Sequence, residues 1–109
     1  MKTAAIVVAL CLALPLVNTT ALGGDAGRGK RLAEQHCEGC HVIGRGPQNG
    51  RVVADAPPFV VIGRKFGFDA DMLVYALTGP HAKMNFSLSR PEADDVAAYV
   101  ATLGQGLQR

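Results

Sequence analysis

Two thiols and an imidazole lie within five residues, Cys37-Glu38-Gly39-Cys40-His41, and they are the most concentrated reactive chemistry in the 109-residue chain. Cysteines three positions apart fall on one face of a helical turn, where both sulfurs can add to the two vinyl groups along one side of a porphyrin. The histidine that follows at once is then within reach of the iron. The pattern predicts one covalent c-type haem, anchored by Cys37 and Cys40, with His41 as an axial ligand of the iron. Competing uses of the motif meet obstacles. A structural zinc site needs further soft ligands at matching spacing, and the chain has no second cysteine pair. A thioredoxin-like dithiol needs a βαβ setting and usually lacks the adjacent histidine.

The second axial position decides what such a haem can do. Downstream candidates are Met72, His81 and Met84; His36 adjoins Cys37 and cannot swing to the opposite face. Met72 falls in a helical pattern and reads as a core methionine. Met84 lies on a loop 43 residues after His41, with Pro80 before it and Phe86 after it to exclude water. It is therefore the expected sixth ligand, with His81 or an open position as alternatives. A thioether favours ferrous iron and fills the site, which leaves electron transfer as the available chemistry; an open site would bind gases instead. His41 in turn needs an acceptor for its other ring N–H, and the stiff Asp55-Ala56-Pro57-Pro58 segment offers one in the Pro57 carbonyl, unless that proline only stiffens the loop. Arg51, Arg64 and Lys65 are candidates for the haem propionates or solvated charges, and Phe59, Phe66, Phe68 and Phe86 are candidate pocket walls.

The elements that must position these groups read as helices and loops. Asp25 can cap a helix that runs into the motif, with Gly29, Leu32, Ala33 and His36 recurring along one face. From Val42 to Pro58, repeated Gly, Pro and Asn-Gly signals predict a loop. Phe59-Val60-Val61-Ile62 reads as a buried helical turn stopped by Gly63. Asp69 caps a second clear helix bearing Met72, Leu73, Ala76 and Leu77 on one face, ended by Gly79-Pro80. Residues 81–86 have no period and read as loop. Ser89-Arg90-Pro91-Glu92 is a capping box, and it opens a last helix whose stripe is Ala93, Val96, Ala97, Val100 and Leu103, flanked by Tyr99. Three main helices with long loops around one haem predict a small all-α domain.

Length and composition fit one such domain with an export signal. Residues 1–23 combine Lys2, a 14-residue apolar or small stretch from Ala4 to Val17, and small residues at Ala21-Leu22-Gly23, which predicts a cleaved signal peptide. That stretch is short of the about 20 residues needed to span a bilayer, so no transmembrane span is expected in the mature chain. Residues 24–109 form the domain, and without Cys11 its only cysteines are those of the motif. Ten basic and nine acidic side chains then remain, without a basic stripe, which argues against nucleic acid as a partner.

Gly29 in the first helix, Cys37, Cys40 and His41, the Ala56-Pro57 loop, the Met84 loop and Tyr99 in the last helix together make the mature chain resemble the class I cytochromes c, in particular small periplasmic single-haem proteins. The resemblance implies that the first and last helices cross near Gly29 and Tyr99. It also implies a non-enzymatic single-electron carrier with an exposed haem edge, serving redox partner proteins in the periplasm through transient contacts. The alternatives are a dedicated cytochrome subunit of a periplasmic dehydrogenase, or a haem-based gas sensor if Met84 does not ligate.

Overall fold

A computed structural model describes residue 13 and residues 23–45, 56–79, 81 and 87–106. Among the described residues there are four helices and no strand: α1 (Ala26–His36), α2 (Phe59–Lys65), α3 (Ala70–Thr78) and α4 (Arg90–Thr102). None of them is long and apolar enough to cross a membrane. The expected signal peptide lies almost wholly outside the described residues.

Local chemistry sets where the helices begin. Asp25 accepts from the Arg28 backbone N–H at 2.7 Å, and Asp69 accepts from that of Met72 at 3.1 Å, so each carboxylate satisfies a donor that the first turn leaves unpaired. Ser89 and Glu92 form the full capping box, with the Ser89 N–H donating to Glu92 Oε2 at 2.8 Å. The fourth helix, α2, is longer than the single turn read from the sequence, because Gly63 continues it. Glycine is required there for space: a β-carbon would overlap the ring of Phe68. The same ring would meet a β-carbon on Gly104, so Phe68 is wedged between α2 and the end of α4. Its φ of +54° is held there by that packing.

Helix α4 is the spine of the domain and packs chiefly against α1 and α3. Val96 and Leu73 are fully buried at the centre of a core that includes Ala33, Phe59, Val74, Ala97, Tyr99, Val100 and Leu103. Burial on this scale stabilises each large aliphatic side chain by about 1.5–3 kcal/mol. Two readings of helix faces need correction. Helix α3 buries Leu73 and Val74 with Leu77 packed beside them, while Met72 is 53% exposed, so Met72 is not a core methionine. The α3 sequence is apolar on nearly every side, and its period alone does not select a face. On α1 the buried residues are Gly29 and Ala33, and His36 stands at the surface.

The α1–α4 crossing is close because Gly29 lacks a side chain: a β-carbon would overlap the Asp95 carbonyl. Asp95 itself is 6% exposed, although its carboxylate gave no sign of burial in the sequence pattern. It accepts from the Asp25 N–H at 2.7 Å and from Arg28 Nε at 3.0 Å, pinning the start of α1 to α4. The Arg28 guanidinium holds the Asp95 carboxyl below the usual carboxylate range, against the opposing effect of burial. A carboxyl that titrates lower in the folded chain stabilises fully above its unfolded value of about 3.9, and that contribution fades as pH falls through the folded value.

Two outcomes follow for the haem-loaded protein under denaturant. Gly29→Ala is expected to lower its stability by roughly 1–3 kcal/mol from overpacking, although Ala favours a helix over Gly by about 1 kcal/mol. Below about pH 4 wild type should lose stability more steeply than Asp95→Asn, which lacks the titrating group.

Candidate haem-binding site

Residues 37–41 prolong α1 by one turn. The Cys37 N–H donates to the Ala33 carbonyl at 2.8 Å, and the N–H groups of Cys40 and His41 donate to the Cys37 carbonyl at 3.1 and 2.8 Å. The two thiols and the imidazole therefore project from one rigid turn at the end of a helix that is itself anchored to α4. Cys37 is buried and Cys40 exposed, and both are free thiols. Burial, with a smaller contribution from Cys40, pushes the Cys37 thiol up to about 11.

The chain leaving the turn is tied down at successive residues. The Val42 carbonyl accepts from the Phe59 N–H at 2.8 Å, and the Ile43 carbonyl accepts from the buried Tyr99 hydroxyl at 2.8 Å. Arg45 donates to the carbonyls of Leu103 and Gln105, closing the exposed end of α4. Two contacts tie this segment to α4, the Tyr99 hydroxyl on Ile43 and the Arg45 guanidinium on the end of the helix, and neither follows from helix periodicity alone. A tyrosine flanking an apolar stripe signals one of them, because a buried hydroxyl needs an acceptor.

His41 is half-buried, and its Nδ1 donates to the Pro57 carbonyl at 2.6 Å. A carbonyl only accepts, so Nδ1 carries the ring proton and Nε2 retains its lone pair. Phe59 lies beside the imidazole, ring centres 5.6 Å apart, and Tyr99 lies behind Phe59 at 6.4 Å. The His81 ring is 6.0 Å from that of His41, with the planes 78° apart. Met84 lies outside the described residues, as do Arg51 and Phe86. Of the basic and aromatic candidates within them, Arg64 is exposed, Lys65 stands 5.6 Å over the half-buried Phe66 ring, Phe68 occupies the α2–α4 wedge, and Phe59 alone touches the motif histidine.

This donor set suits a covalently held haem. Two free thiols share one turn with an imidazole whose free nitrogen is fixed by a hydrogen bond on the other side, the usual arrangement for a metal-ligating histidine. No group of three or more metal-ligating side chains converges among the described residues, so the motif cysteines are not part of an all-protein cluster there.

The comparisons with known proteins point the same way. Cytochrome c-552 of Bradyrhizobium diazoefficiens is 41% identical over 99 residues, an alignment covering 88% of this chain and 91% of the relative. No protein-family profile matches the chain, and no solved structure does. With that identity over nearly its whole length, and with the helical fold and the thiol–imidazole turn, the chain belongs to the small class I c-type cytochromes, which carry electrons on a covalently bound haem c.

Proposed function

We propose that the protein is an exported, single-haem electron carrier of the periplasm, with His41 and Met84 as the two axial ligands and Cys37 and Cys40 as the thioether anchors. The observation that carries this reading is the 2.6 Å hydrogen bond from His41 Nδ1 to the Pro57 carbonyl. It leaves Nε2 as the ligating atom and fixes the orientation of the ring. It also makes the imidazole a stronger donor to a metal. The haem supplies the chemistry of the carrier, a one-electron change at iron; the chain supplies an oriented histidine and two thiol anchors on one turn.

Rigidity around His41 serves that role. An iron whose ligands do not move on gaining or losing an electron exchanges electrons with little rearrangement. Here the Phe59 ring lies against the imidazole with Tyr99 behind it, and hydrogen bonds to the Val42 and Ile43 carbonyls hold the chain that follows the histidine. Met84 is the complementary ligand by residue type and loop position, since a soft thioether raises the potential and closes the iron to small molecules. Partners are redox proteins engaged through small, short-lived contacts, because turnover requires release.

The ferric protein matured with its haem is expected to show the long-wavelength iron–sulfur absorption band. Met84→Ala should abolish that band and His81→Ala should leave it. Ready uptake of carbon monoxide by the reduced wild type would contradict the carrier reading.

A further inference from the structure

A cavity of about 310 Å³ opens between residues 23–24 and the starts of α3 and α4. Its walls include Gly23, Gly24, Asp71, Val74, Arg90 and Asp94, and none of them belongs to the thiol–imidazole turn. Arg90 is already paired, Nε to Asp94 Oδ1 at 3.1 Å, so two carboxylates share one guanidinium and the lining carries one negative charge in excess. The chain itself forms part of the wall. A β-carbon on Gly24 would overlap the Asp94 carbonyl, and the next residue, Asp25, donates its N–H to Asp95 at 2.7 Å. Gly23, in contrast, is exposed with open space around it. The domain therefore closes on the chain at Gly24 and leaves Gly23 outside.

We propose that this cavity seats the amino terminus of the mature protein: removal of the leader at the Gly23–Gly24 bond frees a Gly24 ammonium that pairs with Asp71 and Asp94. The inference rests on the export reading and adds to it a cleavage site and a destination for the new charge. Small residues at Ala21 and Gly23 are those an export peptidase accepts. Hydrolysis takes up one water, whose oxygen ends in the Gly23 carboxylate and whose two protons end on the Gly24 nitrogen. The single positive charge so made matches the single negative charge in excess. The neighbouring carboxylates are engaged elsewhere: Asp25 holds the Arg28 N–H, and Asp95 holds the Arg28 guanidinium and the Asp25 N–H. An ammonium held by carboxylates titrates above its ordinary value of about 7.7–8.0. Its stabilising effect is complete below that value and fades as pH rises through the raised one.

The test uses haem-loaded protein matured in an exporting host. Its intact mass is expected to begin at Gly24, and the Gly24 α-carbon resonance of the reduced, diamagnetic form should titrate at least about half a unit above the ordinary α-amino value. Asp71→Asn should return that titration towards about 8, and so should Gly24→Ala, which forces the terminus off the Asp94 carbonyl. Asp71 is exposed, so Asp71→Asn keeps the test open if Gly24→Ala does not accumulate. A protein that starts at another residue would overturn the inference and leave export standing. So would one that starts at Gly24 with an ordinary amine titration, or with a raised one that Asp71→Asn leaves unchanged. A protein that is not exported, or that keeps its leader, would refute the export reading and the inference together.

Discussion

A histidine that holds a metal must present one nitrogen and keep it in place, and in this chain the 2.6 Å hydrogen bond from His41 to the Pro57 carbonyl meets that requirement. Residues 16 positions apart meet only because each is anchored elsewhere. His41 ends a turn continuous with α1, and α1 is locked to α4 by the missing side chain of Gly29 and by the Asp95 carboxylate. Pro57 is held by the start of α2, where the Phe59 N–H donates to Val42 and the Phe59 ring lies tilted between those of His41 and Tyr99. Removing any of these ties would leave the bond to be made by two loops, at the entropic cost of ordering both.

Much of this was legible in the sequence because it depends on local chemistry. The three N-caps at Asp25, Asp69 and Ser89 are short-range hydrogen-bonding patterns, and all three occur. The Cys37–His41 spacing is a property of one helical turn, and the Pro57 carbonyl was the natural acceptor once a stiff loop was recognised. Three things were not legible. The period of α3 does not separate core Leu73 from exposed Met72, because Met72 and Tyr75 make its exposed side as apolar as its core side. The length of α2 was missed because Gly63 looked like a stop; its role is to admit Phe68, from a turn that the α2 pattern does not include. Asp95 reads as a surface charge, and only the proximity of Asp25 and Arg28, about 70 residues away in the chain, explains its burial.

The fold also shows how a chain with few aromatic residues can build a rigid site. Four phenylalanines and two tyrosines are the whole aromatic complement, with no tryptophan. Phe59 and Tyr99 are placed in series behind His41, and Phe68 bolts α2 to the end of α4. Tyr99 contributes twice, through its ring and through its hydroxyl on Ile43. Small residues do the remainder: Gly29, Ala33, Ala93 and Ala97 bring helices close enough that side-chain volume is not needed.

The account stands or falls on His41 being held as the Nδ1-protonated imidazole by Pro57. Proton and nitrogen NMR of the reduced, diamagnetic haem protein reads this directly. The account predicts a resolved His41 Nδ1 proton that exchanges slowly with solvent, as expected for a donor in a short hydrogen bond. A proton that exchanges as fast as that of free imidazole, or a ring protonated at Nε2, would contradict it.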